Sequence, residues 1–360
     1  MIATEKDIQQ LNSLYEGCKV YQGELHDHAR TGGRSDGKCT LSHWRGALEA
    51  LHMDFAAILD HRGLGHMYLP EWEDGLFICG TEPGTVISDS PAQKPSVHYN
   101  MIFSKPEDLR DVLIEFPEYE FQDHVGEFEG QFIYPRFSTE RFCELITAVK
   151  AHGGFFVHPH PKQLMISDDP LNYWFQDETG IEVFYRDLAH EYSQQNYQLW
   201  LDLLKLGKRV WACSGGDGHK CASNKALTTI YAEEYNNRSF LTHLRRGDFT
   251  CGSVGIRMCI GDTATGGKCS FTDGRLVIAV SDFHDSVYWK EHSYRVDVYD
   301  DQGIVFSKDL SGAECAEPIY LAMDTKECAF YRAEVFDTLR NLRIAVGNPI
   351  WNADISECNL

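Results

Sequence analysis

The nine residues VYQGELHDH, Val20 to His28, decide how this chain is read. A strand over Val20–His26 runs into Glu24-Leu25-His26-Asp27-His28, so two imidazoles stand two positions apart. Side chains alternate across a strand, which places His26 and His28 on one face. One such pair fits a hydrogen-bonded surface as well as a metal. The same event then recurs along the chain. Phe55–Leu59 runs into Asp60-His61, and Leu76–Cys79 leads to Thr81-Glu82-Pro83-Gly84. Val97–Phe103 carries His98 near its start, and Phe155–His158 continues into Pro159-His160. Arg209–Cys213 leads into Gly215-Gly216-Asp217-Gly218-His219. Imidazole and carboxylate donors gathered at strand ends suit zinc, manganese or iron, and one carboxylate can bridge two ions.

Working outward, these apolar runs alternate with helical patterns, which is the signature of repeated β-α units. Gly180–Phe184 adds another strand. Helices are expected over Leu41–Leu51 after a Thr40 cap, Glu140–Ala151 after Thr139, Glu191–Leu206 before Gly207, and about Arg238–Arg246 before Gly247. In β/α barrels the C-terminal strand ends converge on one face, where these donors would meet. Beyond residue 250 helical periodicity fades. Leu276–Val280, Tyr294–Tyr299, Ile304–Phe306 and Leu342–Val346 are separated by turn signals such as Thr272-Asp273-Gly274. The expected organisation is α/β: a β/α barrel over 1–250 and a small antiparallel β domain over 251–360.

The bulk numbers agree with an enzyme. With 360 residues, 43% hydrophobic and 24% charged, the chain can bury a sizeable core. No apolar run approaches the roughly 20 residues that cross a bilayer. The opening MIATEKDIQQLNSLYEG is polar, so a cytoplasmic protein with no membrane partner is expected. A formal charge of −21 argues against nucleic acid as the main partner, because phosphate backbones recruit Lys and Arg. Twelve cysteines show no CxxC pair and read as reduced apolar residues.

The motifs GELHDH, ILDHR, GTE, VHYNMIF, FVHPH and SGGDGH, in this order over residues 20–220, resemble the PHP (polymerase and histidinol phosphatase) family of metal-dependent phosphoesterases. The resemblance implies a distorted seven-stranded β/α barrel holding two or three divalent cations. It implies that His26 and His28 bind one ion with Glu82 and Asp217, and that Glu82 bridges to a second held by His98 and His158. A third would lie between His61, His219 and an acidic residue, for which Asp36 is the choice. LTTIYAEE, Leu244–Thr250 and Gly347-Asn348-Pro349-Ile350 are similar to the carbaryl-hydrolase-like branch, which also cleaves carboxylic esters and carbamates.

The chemistry expected from such a centre is hydrolysis of a small-molecule phosphate ester by metal-activated water. Glu82 and Asp217 serve the catalytic centre, and His160 is a general acid for the leaving oxygen. Arg186, Lys162, Arg62 and Arg30 fall just beyond strand ends and are candidate phosphate anchors. Two rivals differ in kind. An amidohydrolase-type barrel also opens with an HxH strand, but the early Asp60-His61 and the late Asp217-x-His219 fit it poorly. A non-catalytic, metal-stabilised binding module would hold metal without turnover.

Overall fold

The computed structural model describes residues 2–31, 35–90, 97–120, 135–221 and 226–355, together with the backbone of 122–125 and 128–131. Its centre is a large mixed sheet. Seven strands follow one another across it in chain order: β1 Lys19–Asp27, β2 Phe55–Ile58, β3 Phe77–Thr81, β4 Asn100–Phe103, β5 Phe155–His158, β6 Gly180–Tyr185 and β7 Trp211–Gly215. The β1–β2, β2–β3, β5–β6 and β6–β7 pairs are parallel, whereas β4 runs antiparallel to both neighbours. These short strands are buried along almost their whole length, as expected for apolar runs covered on both faces.

The connecting helices form where apolar spacing and caps predict them. Thr40 Oγ1 accepts the His43 N–H at the start of Leu41–Ala50. Thr139–Ala151 is capped by Ser138, one residue earlier than the sequence pattern indicates. Glu191–Lys205 buries Tyr197, Leu199, Trp200, Leu203 and Leu204.

The architecture departs from the expected closed barrel. Among the described residues β7 ends the sheet path, and only a single bridge between Asp27 and Gly218 ties the segment past β7 back to β1. On its other side β1 pairs antiparallel with β8 (Thr228–Ala232), which pairs with β9 (Phe249–Gly252). The sheet then continues into Leu342–Gly347, Phe330–Asp337, Ser293–Tyr299 and Ile304–Ser311, all antiparallel. A second sheet of Gly255–Ile260, Arg275–Ser281 and Ile319–Asp324 carries the helix Glu5–Leu14 through Leu11 and Tyr15. The later strands are thus joined to the first part by continuous hydrogen bonding through β9. Among the described residues no helix is long and apolar enough to cross a membrane.

Candidate metal centre

The direction of β4 explains the site. His26, Glu82, His160 and Asp217 lie at or just past the C-terminal ends of β1, β3, β5 and β7. His98 precedes β4, and because β4 is reversed its N-terminal end lies on the same side of the sheet. The imidazoles therefore converge on Glu82. Glu82 Oε1 lies 2.9 Å from His98 Nδ1 and 3.3 Å from His160 Nε2. Its other oxygen, Oε2, lies 3.1 Å from His26 Nε2, 3.2 Å from His28 Nε2 and 3.4 Å from His61 Nδ1. One carboxylate thus presents each oxygen to a different set of rings. Asp217 Oδ1 completes the first set at 3.2 Å from His28 Nε2 and 3.7 Å from His26 Nε2.

Three donor groups emerge, the atoms of each within 4.8 Å of one another: His26, His28, Glu82 and Asp217; His61, Glu82 and His98; His28, Asp36, His61 and His219. Shared members make them one cluster. The third group lies at the rim, with Asp36 half exposed. There the Nδ1–H of His61 donates to the Glu82 carbonyl at 2.9 Å, and that of His219 to the Asp217 carbonyl at 2.9 Å. Both Nε2 atoms are left for Asp36, at 3.8 and 3.0 Å.

The residues fit divalent cations. His26 Nε2, His28 Nε2 and Glu82 Oε2 are buried with no hydrogen-bond partner among the described residues, although both nitrogens lie within ion-pair distance of that oxygen. Buried polar atoms are nearly always satisfied, so lone pairs converging without hydrogen-bond geometry mark a shared cation site. The electrostatics agree. Burial opposes charge on His26, but Glu82 and Glu182 outweigh it and hold the imidazole well above its ordinary value. Burial likewise opposes charge on His28, which Asp217 and Glu82 lift to about 9. Burial disfavours the Glu82 and Asp217 anions too, yet for Glu82 the rings of His26 and His98, and for Asp217 those of His28 and His26, hold the carboxyl well below the usual range. A proton and a cation compete for the same place.

A supporting shell, mostly unmarked by sequence reasoning, fixes the donors. Glu182, buried in the middle of β6, accepts from His26 Nδ1 at 2.9 Å and from the His160 backbone N–H at 2.7 Å. With its Nδ1 proton so engaged, His26 turns Nε2 to Glu82 and Asp217. A charged residue inside the apolar run Gly180–Tyr185 was the available signal. Tyr185 donates its hydroxyl to Asp217 Oδ2 at 2.9 Å. Asp60 accepts the Ala29 N–H at 2.7 Å and the Thr31 hydroxyl. Burial first, then its neighbour Glu24, push the Asp27 carboxyl well above its usual range. The turn after β7 closes over all of this. A Cβ at Gly215 would lie 2.0 Å from Glu182 Oε1, at Gly216 2.3 Å from Glu24 Oε2, and at Gly218 2.4 Å from Asp27 Oδ1. Only glycine lets that backbone approach three buried carboxyl groups.

Other expected residues are distributed differently. His158 stands outside the three donor groups: its ring packs against Phe156 and Phe175, and burial lowers it to about 3. Position 160, rather than 158, faces Glu82, because the chain turns out of β5 with His160 in the left-handed region at φ +32°. Arg62, Arg186 and Asp217 are left-handed too, at φ +52°, +63° and +49°. Such backbones cluster at functional sites because the surroundings hold them there. Among the cations, Arg186 lies 3.7 Å from Asp217 Oδ2 and over the Tyr185 ring. Lys162 pairs with Asp168 at 2.8 Å, and Arg30 is exposed.

No family model and no curated protein sequence matches the chain. Solved structures do. A protein from Bifidobacterium adolescentis assigned as a metal-dependent phosphoesterase is 20% identical, over 57% of this chain and 90% of its own, with a TM-score of 0.35. An amidohydrolase from Chromobacterium violaceum, solved with sulfate and no metal, is 16% identical over 54% and 87%, with a TM-score of 0.35. Endonuclease Q, in complex with a 27-mer duplex carrying an abasic lesion at the active site, is 11% identical over 63% and 57%, with a TM-score of 0.40. With a DNA complex among these structures, the exclusion of nucleic acid drawn from the net charge is withdrawn. A whole-chain charge of −21 counts the carboxylates of the centre itself and says little about the field that cations there would set.

Proposed function

We propose that this chain is a metal-dependent hydrolase of the PHP type that cleaves phosphate esters, with the catalytic centre in residues 1–250 and the β-rich residues 251–360 as its C-terminal part. The observation that carries the reading is Glu82, whose two oxygens face separate sets of imidazoles at 2.9–3.4 Å. Two or three divalent cations (zinc, manganese or iron) fit the donors and, when bound, supply Lewis acidity that acidifies water and offsets charge developing on phosphorus oxygens.

The chain's own residues do the rest. Glu82 and Asp217 hold the centre in register between the β3 and β7 ends. Glu182 orients the His26 ring and the His160 backbone together. His160, on the Oε1 side of Glu82, hands a proton to the leaving oxygen, and Arg186 binds a non-bridging oxygen from the rim. Glu82→Ala tests the reading: bound metal per chain should fall by more than one equivalent, and turnover on phosphomonoesters, phosphodiesters and duplex DNA should drop at least 1,000-fold if it is present in the parent (about 4 kcal/mol). Metal-loaded parent protein that cleaves none of these would overturn the proposal.

A further inference from the structure

A second donor cluster lies at the other end of β1. Cys18 immediately precedes this strand, and Glu233 immediately follows its antiparallel neighbour β8. Lys19 pairs with Ala232, so the register brings Cys18 and Glu233 opposite one another. The helix Asn237–Arg246 lays His243 over them, and donor atoms of Cys18, Glu233 and His243 lie within 4.8 Å of one another. An extended strand separates this group from His26 by roughly 26 Å, eight residues at about 3.3 Å each. It is independent of the centre above.

We infer that Cys18, Glu233 and His243 form a mononuclear zinc site. Thiolate, imidazole and carboxylate are a donor set that zinc takes readily and that magnesium or calcium does not. The imidazole is already oriented for the task. Its Nδ1 lies 3.2 Å from Asp248 Oδ2, and Asp248 is fixed in turn by the Tyr15 hydroxyl at 2.7 Å. Its Nε2 faces Glu233 Oε2 at 3.2 Å. A carboxylate behind a histidine that points its other nitrogen at further donors is the usual support of a zinc ligand. His243, Glu233 and Asp248 line an open cleft of about 840 Å³, which gives water access to a fourth position. Bound there, zinc would tie the start of β1, the end of β8 and the following helix together.

Cobalt reports on this site alone, since no donor of the His26–Asp217 cluster is sulfur. Metal-free full-length protein titrated with Co²⁺ should develop a thiolate-to-cobalt charge-transfer band in the near ultraviolet, whose final amplitude corresponds to one thiolate-bound cobalt per chain and which excess zinc abolishes. Cys18→Ser should lose the band and hold one cation fewer per chain, with the remaining cations unchanged. Asp248→Asn should keep the band but weaken binding by about 10–100-fold. Parent protein without the band, or a band that survives Cys18→Ser, overturns the site; Glu233 and Asp248 then form a hydrogen-bonded pair of carboxylates around His243. Neither result touches the Glu82 centre, which is read through its own metal and turnover.

Discussion

Replacing Gly215 by alanine tests how far the metal centre depends on the packing of Glu182 and His26 beneath the turn after β7. The added Cβ would stand 2.0 Å from Glu182 Oε1 and 2.6 Å from the His26 Cβ, whereas ordinary contact begins at 3.4 Å, so Glu182→Gln is needed to isolate the carboxylate's share. Glu182 must therefore retreat by about 1.4 Å if the backbone holds, and that backbone is fixed by the Arg186 N–H bond to the Gly215 carbonyl at 3.0 Å. A retreat of this size breaks the bonds to His26 Nδ1 and the His160 N–H, now 2.9 and 2.7 Å. Losing the carboxylate behind a ligating histidine weakens metal binding by about 10–100-fold, or about 1.4–2.7 kcal/mol. Calorimetric titration of metal-free protein with Mn²⁺ reads that change directly. Glu182→Gln supplies the comparison, because it removes the charge and leaves the space unchanged, and it should weaken binding in the same direction. If folded Gly215→Ala binds Mn²⁺ as tightly as the parent, Glu182 does not position His26 and the reasoning fails.

Other expectations follow from single contacts. Arg186→Ala should raise KM for a phosphate ester about 10-fold with kcat little changed, the low end for a half-exposed charged hydrogen bond; an unchanged KM removes Arg186 from substrate binding. Asn348→Ala should cost about 2 kcal/mol in denaturant unfolding, since the buried amide accepts the Ala212 N–H of β7 at 2.7 Å and donates to the Phe249 carbonyl. For acid stability, burial opposes ionisation of Glu334, but Arg332 and Arg343 hold its carboxyl below the ordinary value. A carboxyl depressed in the fold stabilises it above the unfolded value near 4.3 and loses that contribution as pH falls through the folded one. Stability should therefore decline below about pH 4, and Glu334→Gln should flatten that decline, measured as denaturation midpoints from pH 6 to 3.

The seven strands were legible as short apolar runs, five of them followed by donors, and Glu82, His26, His28 and Asp217 could be named from that alone. Strand direction was not legible. His98 sits before its strand rather than after it, an oddity that only the reversal of β4 resolves. A period-two pattern also carries no information about what happens past a strand end: His158 and His160 share a parity, and the left-handed backbone at 160 sends that ring to Glu82. Closure was misjudged because alternating strands and helices fit an open path as well as a ring. Asp27 is legible as a neighbour of the ligands, whereas the supporting acids Glu24 and Glu182 are not, since burial of a carboxyl depends on what the Gly215–Gly218 turn lays over it. The bearing of net charge on partners failed because a sum over the chain ignores where the charges stand.

The lone bridge from Asp27 to Gly218 has a mechanical consequence. The first and seventh strands meet along a seam with almost no ladder of its own, and the donor set straddles it, His26 and His28 on one bank and Asp217 and His219 on the other. An ion seated between them acts as a rivet, adding about 2.7 kcal/mol against parting of the seam at a hundredfold excess over its dissociation constant. Chelation should therefore loosen the molecule first along this line, and the same parting would carry the donors away from one another, so that release of the ion and opening of the fold are one event.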